Sequence, residues 1–173
     1  MRASEAPLHH QHFMTRKTAS KKTGPAQIMA AADAEARLEE HCRLRRQRLS
    51  PMRRAVFHQM IAQAGPQTAY QVLDGVRAAL RKKVAPQSVY RALDFLAAEG
   101  WLHRLETTRA YKVCEHPDHR HAGVLFLCSD CGGAEETEDH ALEALIERDA
   151  AGRGFLAQRQ VVEVLGICRN CAK

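Results

Sequence analysis

No stretch of this chain approaches the roughly 18 apolar residues that would mark a membrane-crossing helix, although 45% of its 173 residues are hydrophobic. Its opening segment, MRASEAPLHHQHFMTRKTASKKTG, is basic but lacks the apolar core of a secretory signal. The expectation is therefore a cytoplasmic protein that does not enter the membrane. There is no internal repeat. There is no H-E-x-x-H and no deaminase-type pattern, so the familiar zinc-hydrolase signatures are missing. Acidic residues are scarce in the first hundred positions, where 17 Lys and Arg face 8 Asp and Glu. From residue 101 onward the balance reverses, with 9 basic against 12 acidic side chains. A basic front half points to that half as the one that would meet nucleic acid.

The basic half reads as helices. DAEARLEEHCRLRRQR carries acids early and arginines late, matching the helix dipole. SPMRRAVFHQMIAQAG opens with a Ser50 cap and Pro51 at the first helical position, and Gly65 ends it. TAYQVLDGVRAALR opens with a Thr68/Gln71 capping box. APQSVYRALDFLAAEG runs from Pro86 to Gly100, with Val89, Leu93 and Leu96 as its apolar stripe. After Gly100 the period shortens. WLHRLETTRAYKVC reads as two short strands joined through Glu106 to Arg109. Three compact helices followed by a hairpin make a winged helix-turn-helix.

In the fourth helix, Gln87, Ser88 and Arg91 lie opposite the apolar stripe, with Tyr90 on the flank. A recognition helix needs such donors near its N-terminal end, and an arginine forks onto guanine O6 and N7. Tyr70, early in the third helix, is a further candidate, and Arg53 and Arg54 are candidates for phosphate contact. Beyond residue 122, GVLFLC reads as a buried strand. ALEALIERDAAGRG reads as a helix with Leu142, Leu145 and Ile146 turned inward, and the chain closes on a last strand region, giving a small α/β unit.

Six cysteines in a cytoplasmic protein favour metal ligation over disulfides. Cys128-x-x-Cys131 and Cys168-x-x-Cys171 are two CxxC turns, each able to present two thiolates to one ion, and together they complete a tetrahedral zinc shell. No thioredoxin-like pattern surrounds either one. Setting these aside leaves Cys114, His116, His119 and His121, with His103 before them and Glu135 and Glu136 after. That is a second donor set drawn from the wing, the connection and the C-terminal unit. A metal bound there would favour one geometry between the halves. Thiolate with imidazole suits zinc, whereas iron and manganese favour nitrogen and oxygen sets.

SVYRALDFLAAEGWLHRLETTRAYKVC, followed by FLCSDCG and closed by GICRNC, resembles the ferric uptake regulator superfamily, most closely its zinc uptake regulator branch, over roughly residues 35–173. The resemblance implies an α+β homodimer, each chain carrying an N-terminal winged helix and a C-terminal α/β dimerisation domain. It implies binding to double-stranded operator DNA when zinc is replete, and repression of zinc-uptake genes. It places a structural zinc on Cys128, Cys131, Cys168 and Cys171. It places a regulatory zinc on His103, Cys114, His121 and Glu136, with His119, His116 and Glu135 as alternates, so two ions per chain. DNA contacts carry over to Tyr70, Tyr90 and Arg91 beside Ser88.

The expected organisation is a disordered basic tail over 1–28, a winged-helix domain over 29–113, a hinge with metal ligands over 114–122 and a dimerisation domain over 123–173. No enzymatic activity and no small organic ligand are expected. The competing expectations are an iron- or manganese-sensing regulator of the same superfamily and, in another class, a zinc-dependent hydrolytic enzyme that uses an open three-ligand site.

Overall fold

Helix α1 (Pro25–Leu44) starts inside the segment expected to be tail and stops sooner than its arginine-rich end suggested. It stops because Arg46 adopts the left-handed conformation (φ 54°). The amides of Arg46 and Gln47 then close on the carbonyls of Arg43 and Cys42, at 3.1 and 2.8 Å. This is the Schellman arrangement, with arginine where glycine is usual. The computed structural model describes residues 25–63, 65–115, 117, 123–157 and 160–172. Residues 1–24 of the expected tail, and the candidate ligands His116, His119 and His121, lie outside the described residues.

Helix α2 (Pro51–Ala62) is capped by Ser50, whose hydroxyl accepts from the Arg53 amide. The strand β1 (Gln67–Thr68) leads into α3 (Ala69–Leu80), which opens on the Thr68/Gln71 capping box. Helix α4 (Pro86–Ala98) has proline in its first turn and no side-chain cap. Together α1 to α4 bury Leu38, Val56, Phe57, Met60, Val72, Val76, Leu93 and Leu96 completely or nearly so, with Trp101 beneath. Glu99 fastens the end of α1 to the end of α4 by accepting from His41 (3.0 Å), Gln47 (2.7 Å) and Arg45 (3.3 Å). Gln67 is buried, and its amide donates to the Gln59 and Met60 carbonyls at the end of α2. Those carbonyls would otherwise lack helical partners.

The wing is three-stranded. Strands β2 (Leu102–Leu105) and β3 (Ala110–Val113) form the expected hairpin, and β1 pairs with β3 on its other side, in the order β1-β3-β2. The C-terminal unit is a second three-stranded sheet, of order β5-β4-β6, from β4 (Gly123–Cys128), β5 (Ala134–Glu138) and β6 (Val162–Gly166). Strand β4 pairs antiparallel with β5 and parallel with β6. The crossover between β5 and β6 contains α5 (His140–Gly152). The fold is α+β.

Two C-terminal expectations need correction. Strand β4 is not buried on both faces: Val124, Leu125 and Leu127 are buried, but Phe126 is 47% exposed. None of the residues of α5 is buried, so Leu142, Leu145 and Ile146 do not turn into a core of this chain. An apolar stripe needs a facing surface, and among the described residues none buries this one.

Candidate metal centres and nucleic-acid interface

The two CxxC turns meet at one end of the second sheet. Cys128 is the last residue of β4 and Cys131 follows in a tight turn, where Gly132 takes a φ of 69° that favours glycine. Cys168 and Cys171 lie just beyond β6, in a turn closed by the Cys171 amide on the Cys168 carbonyl (2.9 Å). The parallel pairing of β4 with β6 brings Cys128 opposite Gly166, which carries the second turn to the first.

All four Sγ atoms lie within 4.8 Å of one another, and those of Cys131 and Cys168 are 3.9 Å apart. A disulfide would require about 2 Å. The sulfur-to-sulfur edge of a tetrahedral zinc site, built from bonds of about 2.3 Å, is about 3.8 Å. The donor set and its spacing therefore fit zinc. Amide hydrogen bonds from Cys131 and Cys168 pull the Cys128 thiol down to about 6. Hydrogen bonding to Cys168, together with burial and the other two thiols, pushes Cys171 up to about 12. Cys131 is raised as well, and a bound dication would relieve the crowding that raises both.

The second group forms where the wing meets this sheet. His103 on β2 stands directly opposite Lys112 on β3, and Cys114 follows two residues after Lys112. Strand alternation puts all three on one face of the wing. In the other sheet, Glu136 on β5 pairs with Leu125, whereas Glu135 pairs with Phe126. Leu125 is buried and packs in one cluster with Leu105 and Ala110 of the wing and with Leu127. Glu136 therefore faces the wing, while Glu135 shares the outer face with Phe126. Ligand atoms of His103, Cys114 and Glu136 lie within 4.8 Å of one another. His103 Nε2 is 2.8 Å from Glu136 Oε1. Imidazole, thiol and carboxylate make a borderline-soft set that fits zinc.

A further contact ties the same two units. The carboxylate of Glu163, on β6 opposite Leu125, accepts from the amides of Glu106 (2.7 Å) and Thr107 (3.0 Å) at the wing tip. Sequence patterning gave no sign of it, because 56 residues separate Thr107 from Glu163. Burial raises the Glu163 pKa, but hydrogen bonds from Thr107 and Glu106 outweigh it and leave the group below its ordinary value. Glu163→Ala is expected to cost about 1–2 kcal/mol and to speed amide exchange at Glu106 and Thr107 roughly tenfold, as read by hydrogen exchange. Because the folded pKa is lowered, this stabilisation is complete above the ordinary glutamate value of 4.5 and disappears as pH falls through the folded value. Unchanged exchange in the variant would show that the latch holds nothing.

On the helical half, Tyr70 is 69% and Tyr90 46% exposed, Arg91 is exposed and Ser88 is half-buried. Tyr90 and Arg91 lie on α4, which opens on Pro86 without a side-chain cap, its Ser88 amide closing on the Ala85 carbonyl at 3.0 Å. The turn before it carries Arg81, Lys82 and Lys83, all exposed, a basic run that belongs to no recognisable motif. Arg53 and Arg54 are otherwise engaged. The Arg53 guanidinium stacks 3.4 Å from the centre of the Phe95 ring, and Arg54 pairs with Glu35 and Glu39. Among the described residues, no helix is long and apolar enough to cross a membrane.

Comparison with known proteins places these features in a family. The sequence profile of the ferric uptake regulator family covers residues 45–165. The zinc uptake regulation protein of Escherichia coli (strain K12) is 36% identical over 153 residues, spanning 88% of this chain and 85% of that protein. The zinc uptake regulation protein of Mycobacterium tuberculosis (strain CDC 1551 / Oshkosh) is 29% identical over 116 residues, spanning 60% and 86%. A solved zinc uptake regulator complexed with zinc and DNA superposes with a TM-score of 0.78 at 35% identity, covering 82% of this chain and 95% of that one. The crystal structure of holo XcZur superposes at 0.73 with 37% identity, covering 82% and 98%. With its winged helix, its paired CxxC turns and a profile match over most of its length, the chain belongs to the ferric uptake regulator family.

Proposed function

We propose that this protein is a zinc-responsive transcriptional repressor whose zinc-loaded homodimer binds operator DNA and silences zinc-uptake genes. The observation that carries this reading is the junction group. His103 and Cys114 come from the wing and Glu136 from the second sheet, so one ion bound by all three ties the DNA-reading half to the other. The relatives named for zinc uptake regulation, and the solved regulator complexed with zinc and DNA, support it.

Two ions per chain serve different ends. Cys128, Cys131, Cys168 and Cys171 would hold the structural one. His103, Cys114 and Glu136 would hold the regulatory one, with His121 as fourth ligand. When bound, zinc supplies a fixed positive charge that draws these donors together. The chain's own residues then do the recognition. Arg91, Tyr90 and Ser88 on α4, with Tyr70, face the duplex, and Arg81, Lys82 and Lys83 neutralise phosphates, so binding weakens as salt rises.

The partner copy answers the unmet apolar surface of the C-terminal unit. Phe126, Leu145, Val164, Leu165 and Ile167 are all well exposed, and pairing two such faces sets the two α4 helices apart by a fixed distance. The protein acts in the cytoplasm, and its ions serve structure and regulation rather than turnover.

The test is a zinc titration of protein that holds only its structural metal. DNA affinity, measured on a duplex selected from a random pool by the zinc-saturated protein, is expected to rise about 100-fold as the second equivalent binds. An affinity indifferent to that equivalent overturns the reading.

A further inference from the structure

Among the described residues Lys112 is a rare buried charge, and repression as proposed above gives it no task. Its side chain is only 9% exposed. Lysine is almost never buried without a partner, and this one has two. Its Nζ lies 2.7 Å from Glu115 Oε1 and 3.7 Å from Glu136 Oε2. The Glu136 side chain is itself 1% exposed, and its Oε2 also accepts from the Glu115 amide at 3.3 Å. The hairpin register explains the placement: Lys112 faces His103 across the strands and precedes Cys114 by two residues. A positive charge thus stands among the three groups that converge at the junction.

We propose that Lys112 is a tethered counter-cation that sets the zinc affinity of the junction site, with Glu115 as its own counterweight. This rests on the reading of His103, Cys114 and Glu136 as the regulatory zinc site. Without metal, the ammonium neutralises a carboxylate that would otherwise be buried with little compensation. With metal, it stands near a dication attracted to the same carboxylate.

The two effects oppose each other, and repulsion is the larger. Glu136 keeps its place without Lys112, because the Glu115 amide, His103 and the β5 backbone still hold it. The repulsion acts on a double charge at short range in a poorly solvated site. Lys112 therefore raises the free zinc concentration at which the protein responds. Glu115, which pairs with the ammonium, offsets part of that rise.

The experiment is chelator competition on the full chain, reading the free zinc that half-fills the second site, paired with the free zinc that half-saturates DNA binding. Lys112→Gln is expected to tighten zinc roughly 10- to 100-fold and to move the DNA midpoint by the same factor. Glu115→Gln is expected to weaken zinc, Lys112→Arg to stay near wild type, and the double replacement of both by glutamine to fall between the single variants. Unchanged or weaker zinc binding in folded Lys112→Gln overturns the proposal. Should that variant fail to fold, unchanged zinc binding in Glu115→Gln overturns it equally. A wild-type chain that takes up a single zinc overturns the sensor reading and this inference together. Two zincs with unmoved midpoints in the variants overturn this inference alone.

Discussion

Cys168→Ser is expected to unfold the C-terminal unit and leave the winged helix standing. Among the described residues of the second sheet, only Val124, Leu125, Leu127 and Cys128 are buried hydrophobics. A core of that size is far below what holds a domain of about 50 residues together unaided. The four thiols bind the end of β4 to the segment after β6, and a structural zinc at such a site supplies on the order of 10 kcal/mol. The variant should lose one zinc per chain and the proposed dimer, as read by metal analysis and sedimentation. The helical signal of α1 to α4 should persist, because their core contains no ligand of this site. A Cys168→Ser protein that stays dimeric with two zincs would refute the assignment.

Cys114→Ser should act on a different quantity. Exchanging the buried thiol for a hydroxyl changes little volume and removes the soft donor from the junction. Thermal stability should fall by no more than about 1–2 kcal/mol, and the zinc at the four cysteines should remain. At zinc levels that saturate the wild type, DNA affinity should drop about 100-fold, the full coupling between metal and duplex. Arg91→Ala is the useful contrast. Loss of a bidentate guanine contact costs about 1–3 kcal/mol, and it should do so at every zinc concentration. A Cys114→Ser protein that binds DNA as tightly as wild type, and still responds to zinc, would remove the junction from the mechanism.

Both variants concern residues whose type was plain in the sequence and whose companions were not. The cysteine spacing pointed to a four-sulfur site because a CxxC turn is local, and two of them leave little choice. The junction was only half legible. His103 and Cys114 could be placed on one hairpin, but choosing between Glu135 and Glu136 required β5, a strand absent from the sequence reading. Its sequence, AEETE, is acidic and lacks the apolar alternation that marks a half-buried strand. The pairing with β4 makes it a strand, and the register of Leu125 with Glu136 decides which carboxylate faces the wing. The contacts of Arg53 and Arg54 were illegible for a similar reason. Their positions suggested phosphate contact, but Phe95 and the acids of α1 claim them, and nothing local in SPMRRAVF announces those neighbours.

By itself, the sequence determined the helices of the basic half with their Ser50 and Thr68 starts, the wing hairpin, and the four-cysteine set. The helices and the hairpin rest on interactions within a few residues: caps, a 3.6-residue apolar period, a tight turn; the cysteine set rests on two such local turns, which the parallel pairing of β4 with β6 brings together. Tertiary structure alone decided that β1 completes the wing sheet, that the stripe of α5 is left unburied among the described residues, that Glu163 holds the wing tip and that Lys112 lies beside Glu136. Those depend on contacts between distant segments, and side-chain chemistry there constrains only which partners are compatible. Which compatible partner arrives is set by how the two sheets pack, through Leu105 and Ala110 against Leu125 and Leu127.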